Sequence, residues 1–119
     1  MKSLSKTDSG KIGEDLAAHF LCKKGFGILE RNYHSRYGEI DIIASKADLI
    51  VFVEVKYRKN CFHSTPSMAV SFRKQDKLKK TALHFISEKN LSNKDFRFDI
   101  IEVTGIGELK LNHIENAFY

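Results

Sequence analysis

The chain has 119 residues, is 29% charged and 42% hydrophobic, and carries a formal net charge of +5. That length suits one domain with one core, and that composition excludes wholesale disorder. Two cysteines are too few for a disulfide framework.

The N-terminus, MKSLSKTDSGKIGEDL, lacks the apolar stretch of a signal peptide. The longest apolar run, Leu49 to Val53, is far too short to span a bilayer. A cytoplasmic protein with no membrane partner is therefore expected. Thr7 or Asp8 is placed to cap a first helix over about residues 8–24. Ile12, Leu16, Phe20 and Leu21 supply its apolar stripe. Glu14 falls at the edge of that stripe, where the helix dipole alone would favour an acid. Gly25 follows as a natural stop. Cys22 and Cys61 have no CxxC partner, so both are expected to be small buried or half-buried thiols rather than zinc ligands.

Three strands are expected next: Phe26 to His34, Gly38 to Ser45 and Leu49 to Arg58, the last rich in β-branched residues. Short links make them an antiparallel meander. Residues 59–70 are irregular and hold the only proline, Pro66. Ser71 is a natural N-cap for a second helix over about 72–89, with Leu78, Ala82, Phe85 and Ile86 as its apolar stripe. A fourth strand is expected over Phe96 to Gly105, and a short fifth within Glu108 to Phe118. The order αβββαββ predicts an α/β fold in one domain, 1–119: a mixed central sheet flanked by helices, with the third strand central.

The best hydrophobic run, GEIDIIASKADLIVFVEVK, is interrupted by Glu39, Asp41, Glu54 and Lys56. Alternate strand residues share a face. If Ala47 and Asp48 form a two-residue hairpin loop with Lys46 opposite Leu49, then Asp41 faces Glu54 and Glu39 faces Lys56. Two facing carboxylates repel. A sheet that keeps them needs a positive neighbour. Lys56 is one candidate. Mg²⁺ or Mn²⁺, held by Asp41, Glu54 and the Val55 carbonyl, is another. Such an ion could hold a phosphate and activate water, with Lys56 orienting the water or stabilising charge. Ordinary salt bridges at strand ends are the plainer alternative.

Charge is unevenly spread. From Lys56 to Lys94 there are ten Lys or Arg and two acids, so the rest of the chain is net negative. One basic sector is the footprint of a polyanion binder. Arg58, Lys59, Arg73, Lys74, Lys77 and Lys80 are the candidate nucleic-acid contacts. Lys74, Lys77 and Lys80 are expected on the solvent side of the second helix. Tyr33, Tyr37, Tyr57 and Phe62 flank the acidic site and could stack on unpaired bases, or serve only as core. The five histidines show no ligand spacing.

In the segments GKIGEDLAAHFLCKKGFGILERNY, GEIDIIA, FVEVKYR, AVSFRKQDKLKKTALHF, FRFDII and HIENAF, the sequence resembles the small bacterial YraN-type family. That family is similar to the archaeal Holliday junction resolvases and, through them, to the PD-(D/E)XK nuclease superfamily. The resemblance implies a restriction-endonuclease-like core and a Mg²⁺- or Mn²⁺-dependent DNA endonuclease. The sequence shows no helix-turn-helix or other base-reading module, so selection by DNA shape, such as a branch, is expected rather than by base sequence. It makes Asp41 the metal-binding aspartate, Glu54 and Lys56 the (D/E)XK pair, and Glu14 a further metal acid. Lys74 and Gln75 match a basic-polar pair opening the second helix, so Gln75 is a further catalytic candidate near the scissile phosphate. Ile40 stands where the superfamily motif has proline. Cutting two strands would need two active sites, hence a homodimer. The alternatives are a non-catalytic nucleic-acid-binding module of the same fold and, more remotely, a protein-interaction module.

Overall fold

The computed structural model describes residues 6–58 and 70–118. The elements are α1 (Lys6–Lys23), β1 (Gly27–Ser35), β2 (Gly38–Lys46), β3 (Leu49–Arg58), α2 (Phe72–Glu88), β4 (Asp95–Thr104) and β5 (Lys110–Phe118). This is the expected order. The fifth strand is nine residues long rather than short. Thr7 and Asp8 fall inside the first turn of α1 instead of ahead of it.

The strands form one mixed sheet in the order β1-β2-β3-β4-β5, with β3 central. β1, β2 and β3 are the expected antiparallel meander. β4 runs parallel to β3, from Leu49–Asp95 to Arg58–Thr104. Parallel neighbours need a crossover, and α2 lies within it. β5 returns antiparallel on β4.

Alternation along the strands divides the core in two. Val51, Val53, Ile101 and Val103 pack with Ala17, Ala18 and Leu21 of α1. Ile50, Phe52 and Ile100 pack with Leu78, Ala82 and Phe85 of α2. The helices therefore cover opposite faces, and β3 is apolar at nearly every position because both its faces are buried. Within α1 the buried positions are Gly13, Ala17, Ala18 and Leu21, whereas Ile12 is exposed. The stripe is rotated from the one expected. Small side chains let the helix sit close to the sheet, with Gly13 facing Val55 and Tyr57. Cys22 lies beside Leu21 on the outer surface and is an exposed thiol, contrary to expectation. Cys61, Phe62 and Pro66 lie outside the described residues.

Ser71 caps α2 as expected, its side chain accepting from the Lys74 amide at 3.2 Å. Among the described residues no helix is long and apolar enough to cross a membrane.

Candidate functional site

The β2–β3 hairpin has the expected register. Lys46 pairs with Leu49, and the ladder runs on to Ile42–Val53. There it stops. The Asp41 carboxylate, rather than a backbone carbonyl, accepts the Val55 amide at 2.8 Å. Side-chain alternation breaks at the same place. Ile42 and Ala44 join the α1-side core and Ile43 the α2-side core, yet Ile40 also joins the α2 side. β2 thus parts from β3 at Asp41, and a side chain fills the vacated hydrogen-bonding position. Past this point the expected facing pairs are not kept. Glu39 instead sits opposite His34 on β1, 3.2 Å from its Nδ1.

Glu54 is buried on β3. Its Oε1 lies 2.7 Å from Lys74 Nζ and 3.6 Å from Lys56 Nζ. Lys74 therefore reaches in to Glu54 while its side chain stays 44% exposed, so it is only partly the solvent-side residue expected. It sits in the first turn of α2, and docking of Leu78 and Ala82 aims that turn at β3. Arg73, Lys77 and Lys80 are exposed, as expected. Gln75 is turned elsewhere: its Nε2 donates to the Val70 carbonyl at 3.0 Å, so it ties down the entry to α2. Lys59 lies outside the described residues.

Glu14 approaches from α1. Its Oε1 is buried without a hydrogen bond, with Arg31 NH2 3.6 Å away. Arg31 spends its better contact on Asp15, at 2.7 Å.

The electrostatics follow from this packing. Burial first, then the neighbouring Glu54 charge, with Glu14 adding, push the Asp41 carboxyl from 3.8 up to about 7. The Val55 amide and Lys74 oppose that rise. Burial lowers the Lys56 pKa, and Lys74 adds to the effect against the pull of Glu54. Burial would lower Lys74 too, but its bond to Glu54 leaves it raised. Asp41, raised to about 7, and Lys56, lowered, both border Glu54, and shifted groups gathered around one buried acid mark a candidate site.

The donor chemistry fits a hard divalent cation. Asp41 and Glu54 are close enough to repel, and Glu14 offers an orphaned oxygen. Yet among the described residues no three acids, histidines or cysteines are gathered closely enough to share one ion. Two lysines now occupy the charge of Glu54. Val55 enters the site through its amide.

Sequence reasoning missed Glu102 on β4. It is buried, pairs in register with Lys56, and lies 3.3 Å from Arg58 Nε, with Oε2 lacking an aligned hydrogen bond. The signal was there: like Glu54, it interrupts an apolar strand, in FRFDIIEVT.

Residues 13–103, which include Glu14, Asp41, Glu54, Lys56, Lys74 and Glu102, match the family model described as "Uncharacterised protein family UPF0102". The chain belongs to this family. It is similar to a UPF0102 protein of Sulfurihydrogenibium sp. (strain YO3AOP1), 46% identical over 97% of both chains. It is equally similar to one of Alkaliphilus metalliredigens (strain QYMF), 46% identical over 92% of this chain and 96% of the other. A third, from Dictyoglomus turgidum, is 44% identical over 97% of this chain and all of the other. The resemblance to a family of small bacterial proteins is thereby borne out.

Proposed function

We propose that the protein is a metal-dependent endonuclease that hydrolyses phosphodiesters in DNA, selecting branched or junction-containing forms. On this reading the mixed sheet with one helix on each face is a restriction-endonuclease-like core. The observation that carries it is the like-charged pair Asp41 and Glu54 at the parting of β2 and β3, ringed by Glu14, Lys56 and Lys74. A sheet gains nothing from buried carboxylates that repel. A site that must receive a cation and a phosphate does.

Asp41 and Glu54, with Glu14 and the Val55 carbonyl, would hold Mg²⁺ or Mn²⁺. When bound, that ion supplies charge to the phosphoryl oxygens and a more acidic water. The chain's own groups do the rest. Lys74 presents its ammonium to the phosphate once Glu54 has another partner. Lys56, half-buried and with a lowered pKa, orients the water or stabilises charge as the phosphorus–oxygen bond breaks. Gln75 holds the start of α2 through Val70, which fixes where Lys74 points. Arg73, Lys77 and Lys80 add phosphate contacts that fix position and carry no base information. Two copies of the chain would be needed to cut two strands.

A second reading is a non-catalytic nucleic-acid-binding module of the same fold. The 2.7 Å contact of Lys74 with Glu54 favours it, because Glu54 then already has its counter-charge inside the protein. Incubation with Mg²⁺ or Mn²⁺ and labelled linear duplex, single strand, flap and four-way junction separates the two. Cleavage by the wild type and not by Asp41→Ala supports the nuclease. Binding of every substrate with no cleavage in either metal supports the module.

A further inference from the structure

The candidate site engages only the first turn of α2. The outer face of that helix continues beyond it. Arg73, Lys77, Lys80 and His84 follow at spacings of four, three and four, which is one face of a helix, and all four are exposed. From first to last they span about 16 Å at 1.5 Å per residue. The β1–β2 turn docks along one edge of this face, at Lys77 and the buried Thr81. A Cβ on Gly38 would lie 3.6 Å from Lys77 Cβ and 3.5 Å from Thr81 Oγ1, and Ser35 Oγ donates to Thr81 Oγ1 at 3.4 Å.

That contact has a pocket on each side. One, of about 260 Å³, adjoins the acidic site, with Glu39, Arg73, Lys74 and Lys77 in its wall. The other, of about 310 Å³, is formed by Tyr37, Lys80, Leu83 and His84. This second pocket is different in kind. Leu83 is 65% exposed there. The His84 ring stands 6.4 Å from Tyr37 and 6.5 Å from Tyr33. The Arg36 guanidinium lies over the Tyr37 ring, 4.9 Å from its centroid. The hollow is shallow and open to solvent, so it could cover one face of a base rather than enclose a ligand.

We propose that this face is a track for single-stranded nucleic acid. Phosphates run along Arg73, Lys77 and Lys80, and an unpaired base seats in the Tyr37–Leu83–His84 pocket. The inference rests on the nucleic-acid reading of the acidic site and adds which form of nucleic acid is held, and where. Ring faces and a guanidinium plane next to spaced cations suit a strand whose bases are free to stack. A duplex keeps its bases inside its own stack and would use only the cations. An acidic peptide would likewise leave the rings idle.

The test is equilibrium binding of the full chain to a fluorescent oligonucleotide containing 2-aminopurine, in EDTA, so that cleavage plays no part. The single strand is expected to bind about tenfold tighter than a duplex of the same length, with quenching of the 2-aminopurine. The exposed substitutions His84→Ala and Leu83→Ser should lose about tenfold on the single strand and little on the duplex, the scale of one stacked base. Tyr37→Leu should do the same, with its fold checked by circular dichroism. Lys80→Ala should weaken both forms and lower the salt slope by about one. Equal affinity for strand and duplex overturns the track while leaving the nucleic-acid reading standing. So does unchanged binding by His84→Ala and Leu83→Ser. Polyglutamate competing as well as the oligonucleotide overturns it in favour of an acidic protein partner. A wild type that binds no nucleic acid overturns both the track and the reading beneath it.

Discussion

Two aspartates in this protein occupy similar positions and have opposite surroundings. Asp41 and Asp99 each lie where a strand ladder slips, and each accepts a backbone amide that the ladder leaves over. Asp41 takes the Val55 amide where β2 leaves β3. Asp99 takes the Asn116 amide at 2.9 Å, beside the irregularity between Phe98 and Ile100 in the β4–β5 register. From there they diverge. Asp99 is fully buried and also accepts two bonds from Arg97 and lies 2.7 Å from His113 Nε2. Burial alone would raise its pKa, but His113, Arg97 and the Asn116 amide hold it below the ordinary value. Asp41 has one amide, two acids nearby and only the more distant help of Lys74, and stands at about 7. One carboxylate is saturated and structural. The other is half-buried and kept short of partners.

The comparison can be broken by mutation, and the largest effect concerns activity. On the proposed nuclease reading, Asp41→Ala should abolish DNA cleavage while leaving binding within a few-fold of wild type, as gel-based cleavage and anisotropy would show. Cleavage that survives would make Asp41 no more functional than Asp99.

The next effect is on stability. Asp99→Ala strands Arg97, His113 and the Asn116 amide in or near the core. A loss of about 3–5 kcal/mol is expected in urea unfolding. A loss under about 1 kcal/mol would mean that β5 holds its bulge without the carboxylate.

The smallest effect has the most distinctive sign. A raised carboxyl pKa means that the folded state binds its proton more tightly than the unfolded state. Asp41 therefore costs no stability below about pH 4, costs progressively more as pH rises towards 7, and costs its full amount above that. Asp41→Asn should stabilise the protein by about 1–3 kcal/mol at pH 8 and have little effect near pH 4. Asp99 runs the other way, since its pKa is lowered: its contribution is present above about 3.8 and is lost as pH falls through its folded value. A gain from Asp41→Asn that did not vary with pH would mean that Asp41 ionises as it does in water.

What the sequence could reveal of this contrast depended on distance along the chain. The hairpin register, the Ser71 cap and the face of α2 carrying Leu78, Ala82 and Phe85 all follow from residues a few positions apart, and all were legible. Asp41, Glu54 and Lys56 were legible as a group because one tight turn links them. The inward turn of Lys74 was not, because it depends on how α2 docks across the sheet. Gln75 was read as a catalytic neighbour of Lys74, but its side chain is turned back to Val70, a contact set by how the chain enters the helix. The Asp99 cluster was illegible for the same reason. His113 looked like an isolated ring, and its partners come from β4 and from Lys24 just past α1, 2.8 Å from its Nδ1. The stripe on α1 was misplaced because large side chains were given more weight than the close approach that Gly13 and Ala17 allow.

The parallel pairing of β4 with β3 has a consequence in time as well as in space. The meander that brings Asp41 to Glu54 is built from neighbouring segments, whereas joining Leu49 to Asp95 must close a long loop containing α2. Short-range pairings form sooner than long-range ones. The approach of Asp41 to Glu54 closes a shorter loop than the contact of Lys74 with Glu54, so the two acids are expected to meet first. Refolding followed by stopped flow should slow as pH rises from about 4 towards 7 and level off above it, and Asp41→Asn should flatten that dependence. The chain would then spend its slowest moments holding a repulsion that its last helix comes to relieve.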